Sequence, residues 1–215
     1  MRGPARPYLH SKLMCWVALD RGLAMTDQLH AGDRVGAWTA ARDEVRASIL
    51  THGWSQRAGA YTQYYGSEAL DASTLLLAIV GFLPPDDPRL LATIDAVEHQ
   101  LSDERGLLYR YRGGDGPEGT FLLCTFWLAH ALALTGQTDR SRDTLLRAAG
   151  YATELGLFAE QVDPATGELL GNFPQAFSHL GMVNAAHALA QAVTARGPDR
   201  ARQQPPAPPG PGPAV

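Results

Sequence analysis

The sequence predicts an all-α fold of about seven helices in antiparallel pairs. Three observations carry that prediction. Apolar residues recur at helical rather than alternating spacing through nearly every segment up to residue 196. Helix-start residues, among them Asp33, Pro88, Asp139 and Pro174, stand at or near the beginnings of these segments. The connections alternate between short and long, the long ones covering 52–72, 105–119 and 158–173. In antiparallel pairs such alternation gathers the long connections at one end, and arrays of this kind close into toroids with a site at that end. A generic helical bundle would share most of this pattern, and no sequence-level repeat separates the two.

The first helix is expected over 11–29, with Leu13, Trp16, Val17, Leu19 and Leu23 close to helical spacing and Gly32 in the turn beyond. The second, over 33–51, starts at Asp33 as N-cap and places Val35, Trp38, Val45 and Ile49 on one side. The third, over 73–82, reads "STLLLAIVGF" and has no polar face, so it should be buried all round. Pro88 opens the fourth, over 88–101. "GLLYRYRGGDGPEG" should form a short extended segment followed by an irregular loop. The fifth helix, over 120–134, is strongly apolar; the sixth is expected over 138–155 and the seventh over 174–194. Residues 197–215 contain abundant proline and a single large apolar residue, Val215, so they are expected to be a disordered tail following a 1–196 domain.

Bulk composition excludes several function classes. The 215 residues are 45% hydrophobic, enough for a core, and the formal net charge of −4 does not point to nucleic acid. Lys12 is the only lysine, which reads as the codon bias of a GC-rich genome. No stretch reaches the roughly 18 apolar residues of a membrane span. The N-terminal apolar run is interrupted by Asp20 and Arg21 and is followed by no cleavage signature, so a soluble cytoplasmic chain is expected. Cys15 and Cys124 lie far apart inside helical patterns and are expected to be buried free thiols. Histidines are scattered without HExxH-type spacing; His179 is expected to orient a neighbour or fill the core. Phosphate-binding glycine motifs and a GxSxG elbow are both lacking.

The long loops share one vocabulary. Trp54, Tyr61, Tyr64 and Tyr65 lie in the first; Tyr109, Arg110, Tyr111, Arg112, Asp115 and Glu118 in the second; Glu160, Asp163, Glu168, Asn172 and Phe173 in the third. Aromatic faces beside arginines and carboxylates suit sugars, whose C–H faces stack while their hydroxyls take paired hydrogen bonds. Glu118 and Glu160 are the carboxylates best placed for acid–base work.

Four blocks make this specific: "SKLMCWVALDR" (11–21), "TQYYGSEALDASTLLLAIVGFLPPDDPR" (62–89), "GLLYRYR" with "DGPEGTFLLCTFWL" (106–128), and "AEQVDPATGELLGNFPQAFSHLGMVNAA" (159–186). In collinear order they resemble the C-terminal part of glycoside hydrolase family 15, the glucoamylase and bacterial trehalase group. The resemblance implies part of an (α/α)6 toroid, an α-glucoside substrate and hydrolysis with inversion; the residues themselves show no site for phosphate or magnesium, and no cofactor is expected. It places the general base on Glu160, in the "AEQVD" motif, and substrate contacts on Tyr64, Tyr65, Arg110, Arg112 and Glu118. The family's general acid is the glutamate of a Trp-Glu-x-Arg-Gly motif. Arg2 and Gly3 match its end and Met1 takes the x position, so the acid is expected upstream of Met1. An internal start, a split gene with a separately encoded N-terminal half, or a degraded gene would each give this pattern. Glu118 lies in a different loop block and is not expected to take over the acid role. An inactive helical module that binds or complements a partner is the alternative reading.

Overall fold

A computed structural model describes residues 5–113 and 118–196. Asp115, Met1 to Gly3 and the proline-rich tail lie outside the described residues, and with them the expectations placed there. The helices are α1 (Leu9–Ala24), α2 (Val35–His52), α3 (Leu76–Ile79), α4 (Pro88–Leu101), α5 (Leu122–Leu134), α6 (Thr138–Ala149) and α7 (Ala176–Arg196). Helix α1 packs on α2, and α5 packs on α6 and α7. The 72–79 segment bridges α1 and α5, while α4 lies against that segment and α5. The result is one row of α1, α3, α5 and α7 with α2, α4 and α6 beside it.

Helix α5 is the centre of the arc. Leu122, Phe126, Leu128, Ala129 and Leu132 are all nearly or fully buried, because α5 is covered on several sides and has no need of a polar stripe. Burying each Leu or Phe side chain stabilises the fold by about 1.5–3 kcal/mol. Helix α7 approaches α5 closely through small residues. A Cβ on Gly181 would meet Leu123 Cδ1 at 3.0 Å and Phe126 Cβ at 3.1 Å. Elsewhere on α7, Leu180 and Val183 are exposed, while Phe177, one turn before Gly181, is exposed at the mouth of the cavity that Glu160 lines.

Several boundaries differ from the sequence expectation, each for a local reason. Asp33 is not an N-cap; it sits inside a 3-10 turn (Gly32–Arg34) and pairs with Arg34 at 3.2 Å. The third helix is shorter than 73–82. Its first turn, Ala72–Leu75, is 3-10 and is capped by Asp71, whose Oδ1 accepts from Ser73 N at 2.8 Å. Its end is fixed by Gly81 at φ 73, a left-handed position that glycine occupies without Cβ strain. The sixth helix stops at Ala149, and Gly156 at φ 74 turns the chain beyond it. Pro174 precedes α7 across a cis peptide rather than forming its first turn. Cys15 is exposed, on the side of α1 turned away from Leu9, Leu13 and Trp16; only Cys124 is buried.

The long connections are laced together at one end. A hairpin of β1 (Trp54–Ser55) and β2 (Ala60–Tyr61) follows α2. Strand β3 (Thr120–Phe121) pairs antiparallel with β4 (Gln161–Val162), and β4 with β5 (Leu169–Leu170). Main-chain bonds continue the lacing: Leu9 N to Gln63 O at 3.0 Å, Ala72 N to Arg110 O at 2.8 Å and Phe121 N to Leu108 O at 2.7 Å. The N-termini of α1, α5 and α7 therefore meet the long loops at one end.

Candidate active site

Glu160 stands where β4 begins, and the chain around it is held on every side. Gln175 N–H donates to Phe158 O at 2.8 Å, and Ser178 Oγ–H donates to Ala159 O at 2.8 Å. Phe158 N–H donates to His179 Nε2 at 3.3 Å. His179 Nδ1 lies 2.7 Å from Gln175 O; a carbonyl only accepts, so Nδ1 carries the proton and Nε2 is left as the acceptor. His179 thus has the orienting role expected of it. Glu160 itself donates its N–H to Asn172 O at 3.0 Å and accepts at its carbonyl from Leu122 N at 3.2 Å.

The side chain is held asymmetrically. Glu160 Oε2 accepts from Asn172 N at 3.1 Å and from Asn172 Nδ2 at 2.9 Å. Oε1 accepts no hydrogen bond among the described residues. Two donors on one oxygen fix the plane and direction of the carboxylate and leave the other oxygen able to take a proton. Gly171 makes this arrangement possible. Its φ is 76°, and a Cβ there would lie 2.7 Å from Glu160 Oε2 and 3.0 Å from Glu160 Cβ. The turn from β4 to β5 is set by Asp163, whose Oδ1 accepts from Ala165 N at 2.7 Å and Thr166 N at 2.9 Å. These two backbone donors hold its carboxyl below the usual carboxylate range. Arg105 ties the same turn to the second loop through the carbonyls of Asp163 and Ala165.

Glu160 lines a cavity of about 220 Å³ together with Arg110, Phe121, Cys124, Trp127 and Gln175. Arg110 donates to Glu118 Oε1 at 2.6 Å and to Tyr111 OH at 3.2 Å. Its guanidinium lies over the rings of Tyr111 and Phe121, each at 4.9 Å. Burial works against its charge, but Glu118 and Tyr111 outweigh that and raise its pKa above the ordinary arginine value. Arg110 Nε is buried with no partner among the described residues. Burial pushes the Cys124 thiol far above its usual range, so it stays protonated and serves as an apolar wall.

The structure therefore brings together Glu160 and Arg110, and through Arg110 it brings Glu118. The other expected contacts stand elsewhere. Arg112 donates to the carbonyls of Gln100 and Ser102, both at 2.8 Å, and covers Tyr109; it staples the end of α4. Tyr64 packs edge-on against Tyr8 and under Arg6. Tyr65 bonds Ser48 Oγ at 3.2 Å and lines a different recess. Gly171, Trp127, Cys124 and Gln175 were missed by sequence reasoning. Only "LLGNFPQ", a glycine after an apolar pair beside Glu160's loop, held a signal for any of them. Among the described residues no His, Cys, Asp or Glu cluster could hold a metal ion, and no helix is long and apolar enough to cross a membrane.

Known proteins resemble this chain in sequence and in fold. A trehalase of Mycobacterium tuberculosis is 45% identical over 191 residues, covering 86% of this chain and 28% of the relative. A trehalase of Thermoplasma volcanium is 36% identical over 198 residues, covering 91% of this chain and 32% of the relative. The chain thus spans less than a third of the length of these relatives. A solved wild-type glycosidase matches with a TM-score of 0.75 at 22% identity, over 86% of this chain and 52% of that one. A bacterial glucoamylase complexed with acarbose matches with a TM-score of 0.71 at 17% identity, over 88% of this chain and 35% of that one. These two likenesses speak for the fold, and the seven helices are part of an (α/α)6 toroid. The family model of the glycosyl hydrolases family 15 matches residues 1–187, and the chain belongs to that family.

Proposed function

We propose that this chain is the base-bearing part of an inverting α-glucoside hydrolase, with Glu160 as the general base. The observation that carries the reading is the asymmetric carboxylate: Oε2 clamped twice by Asn172, Oε1 unbonded among the described residues, beside a cavity that also holds Arg110. In inversion a water attacks the anomeric carbon as the base takes its proton. A carboxylic acid on the other face of the sugar, about 6.5–9.5 Å from the base, protonates the departing glycosidic oxygen. Glu160 Oε1 takes the water proton. Arg110 supplies hydroxyl-directed hydrogen bonds, and Glu118 holds Arg110 in place. Trp127 and Phe121 supply apolar surface for the ring. The acid belongs to the motif whose end is Arg2 and Gly3. The curated relatives above are trehalases, so an α,α-linked diglucoside is the first substrate to test. Unpaired Cys15 and Cys124 fit a reducing compartment, the cytoplasm.

The test is the chain joined to the residues that supply the acid, whether its own upstream segment or a separately encoded half, assayed for glucose release from trehalose and maltose. Glu160→Gln should lower kcat by about 10²–10⁴-fold. Turnover that survives this change at more than a tenth of the parent rate refutes the assignment.

One observation favours a second reading, in which the chain complements a partner rather than acting by itself. Leu180 and Val183 of α7 are 57% and 59% exposed, apolar surface of the kind that partners cover. A further part of the toroid is the fitting occupant. Glucose release only on mixing the two halves would support it, and equal activity of the chain by itself would exclude it.

A further inference from the structure

The first long loop builds a second recess, of about 540 Å³, which shares no lining residue with the Glu160 cavity. Its walls include His52 at the end of α2, Trp54 and Ser55 of β1, and Tyr65, Ser67 and Glu68. We propose that this recess binds a pyranose ring, as a carbohydrate site separate from the catalytic cavity.

The aromatic part is fixed in place. Trp54 is braced edge-on by Tyr61 at 5.5 Å, with Arg89 over its ring at 5.3 Å. Tyr65 is anchored twice, by its N–H to Pro7 O at 3.1 Å and by its hydroxyl to Ser48. The His52 ring lies 5.7 Å from the Tyr65 ring. Stacking surface that is already immobile binds with little loss of side-chain freedom.

The polar part has the donor and acceptor pattern a sugar needs. Ser55 Oγ accepts from Ala58 N at 3.2 Å, and Ser67 Oγ accepts from Ala69 N at 3.0 Å. Each hydroxyl oxygen is oriented by that bond, while its own proton has no acceptor among the described residues. Glu68 presents a carboxylate at the opposite polarity, paired on one side with Arg57 at 3.0 Å. Two oriented donors and one acceptor beside three rings match the alternating hydroxyls and C–H face of a hexopyranose. The pattern has no cluster suited to a metal, and it is not basic enough for a phosphate. Tyr65, expected at the substrate from the family resemblance, thereby keeps a sugar-binding role at a different place. Binding here does not depend on Glu160 being a base.

The experiment titrates the 215-residue chain with trehalose, maltose and glucose, following the indole N–H of Trp54 by NMR, with glycerol as the non-stacking control. Saturable Trp54 shifts with a Kd near the millimolar range are expected for the sugars and not for glycerol. His52→Ala and Glu68→Gln change exposed side chains and should each weaken binding by about 5-fold, the loss of one neutral or rim contact. Glu160→Gln should leave the Trp54 shifts unchanged, which separates this site from the proposed catalytic one. No Trp54 response up to about 100 mM sugar, far above a millimolar Kd, overturns the proposal. So does a response that glycerol reproduces, or one that neither His52→Ala nor Glu68→Gln weakens.

Discussion

Gly171→Ala gives the sharpest test of how the base is held. The added Cβ would lie 2.7 Å from Glu160 Oε2, where ordinary contact begins at 3.4 Å. The carboxylate must therefore retreat by about 0.7 Å, or the loop must open; either breaks the paired bonds from Asn172. A displacement approaching 1 Å of a reacting group lowers rate by about 10²-fold. Left-handed backbone on an L-residue adds a cost of about 1–2 kcal/mol. That strain exists at other glycines too, which supplies the control. Gly156 has φ +74, and a Cβ there meets nothing within 4 Å. Gly156→Ala should lose similar stability, a Tm lower by about 2–8 °C, with kcat intact. Gly171→Ala should lose about 10²-fold in kcat in the acid-complemented protein, with KM little changed. Equal kcat in the two variants would refute the claim that Gly171 is there to make room for Glu160.

Three further outcomes follow from the same geometry. Glu118→Gln removes the charge that outweighs burial at Arg110; KM for the glucoside should rise by about 3–10-fold, the scale of one charge-assisted bond, and an unchanged KM would sever Glu118 from substrate binding. The 215-residue chain alone, assayed on trehalose, maltose and soluble starch, should release glucose at background only; turnover that Glu160→Gln abolishes would show that no upstream acid is needed. Burial, and then the neighbouring His187, lower the His130 pKa. A base with a lowered folded pKa is protonated first in the unfolded chain, so stability should fall as pH drops through about 6.5, the free imidazole value. Thermal melts of His130→Gln at pH 7.5 and 5.5 should show a shallower loss than the parent, and an equal loss would count against the assignment.

The fourth helix was legible because its local signals hold, whereas Asp33 and Pro174, read as helix starts, do not open α2 and α7. Pro88 after Asp87 and the run to Leu101 are reproduced residue for residue, and Asp87 caps the helix through Oδ1 to Arg89 N and Leu90 N. The third helix was not, because its apolar run "STLLLAIVGF" carries no trace of the 3-10 turn that Asp71 and its bond to Ser73 impose. The strands were invisible for a simpler reason. Each is two residues long, and β3 pairs with β4 across some forty residues of chain, so no window of periodicity contains them. Cys15 reads as core from its apolar neighbours but lies on the other side of α1. At the site, Glu160 was reachable through the motif around it. Its clamp by Asn172 and the space left by Gly171 were not, since both depend on a turn that returns the chain beside itself.

That turn also bears on which part of the chemistry this chain carries. Among the described residues, Glu160 is fixed from several sides: Gln175 just before α7, with Ser178 and His179 within it, holds Phe158 and Ala159; α5 holds the Glu160 carbonyl through Leu122; and β5 leads to Asn172. In an inverting site the two carboxyl groups act on opposite faces of the sugar and need no bond to each other, only a fixed separation. Under the proposed reading, a base held in this way needs from the acid only its placement on the opposite face. What the upstream residues must add is the distance across the cavity. In the proposed reading, exposed Leu180 and Val183 on α7 are the surface through which an added helix would set that distance, since they continue along the same helix whose N-terminal turn holds Ala159, next to Glu160.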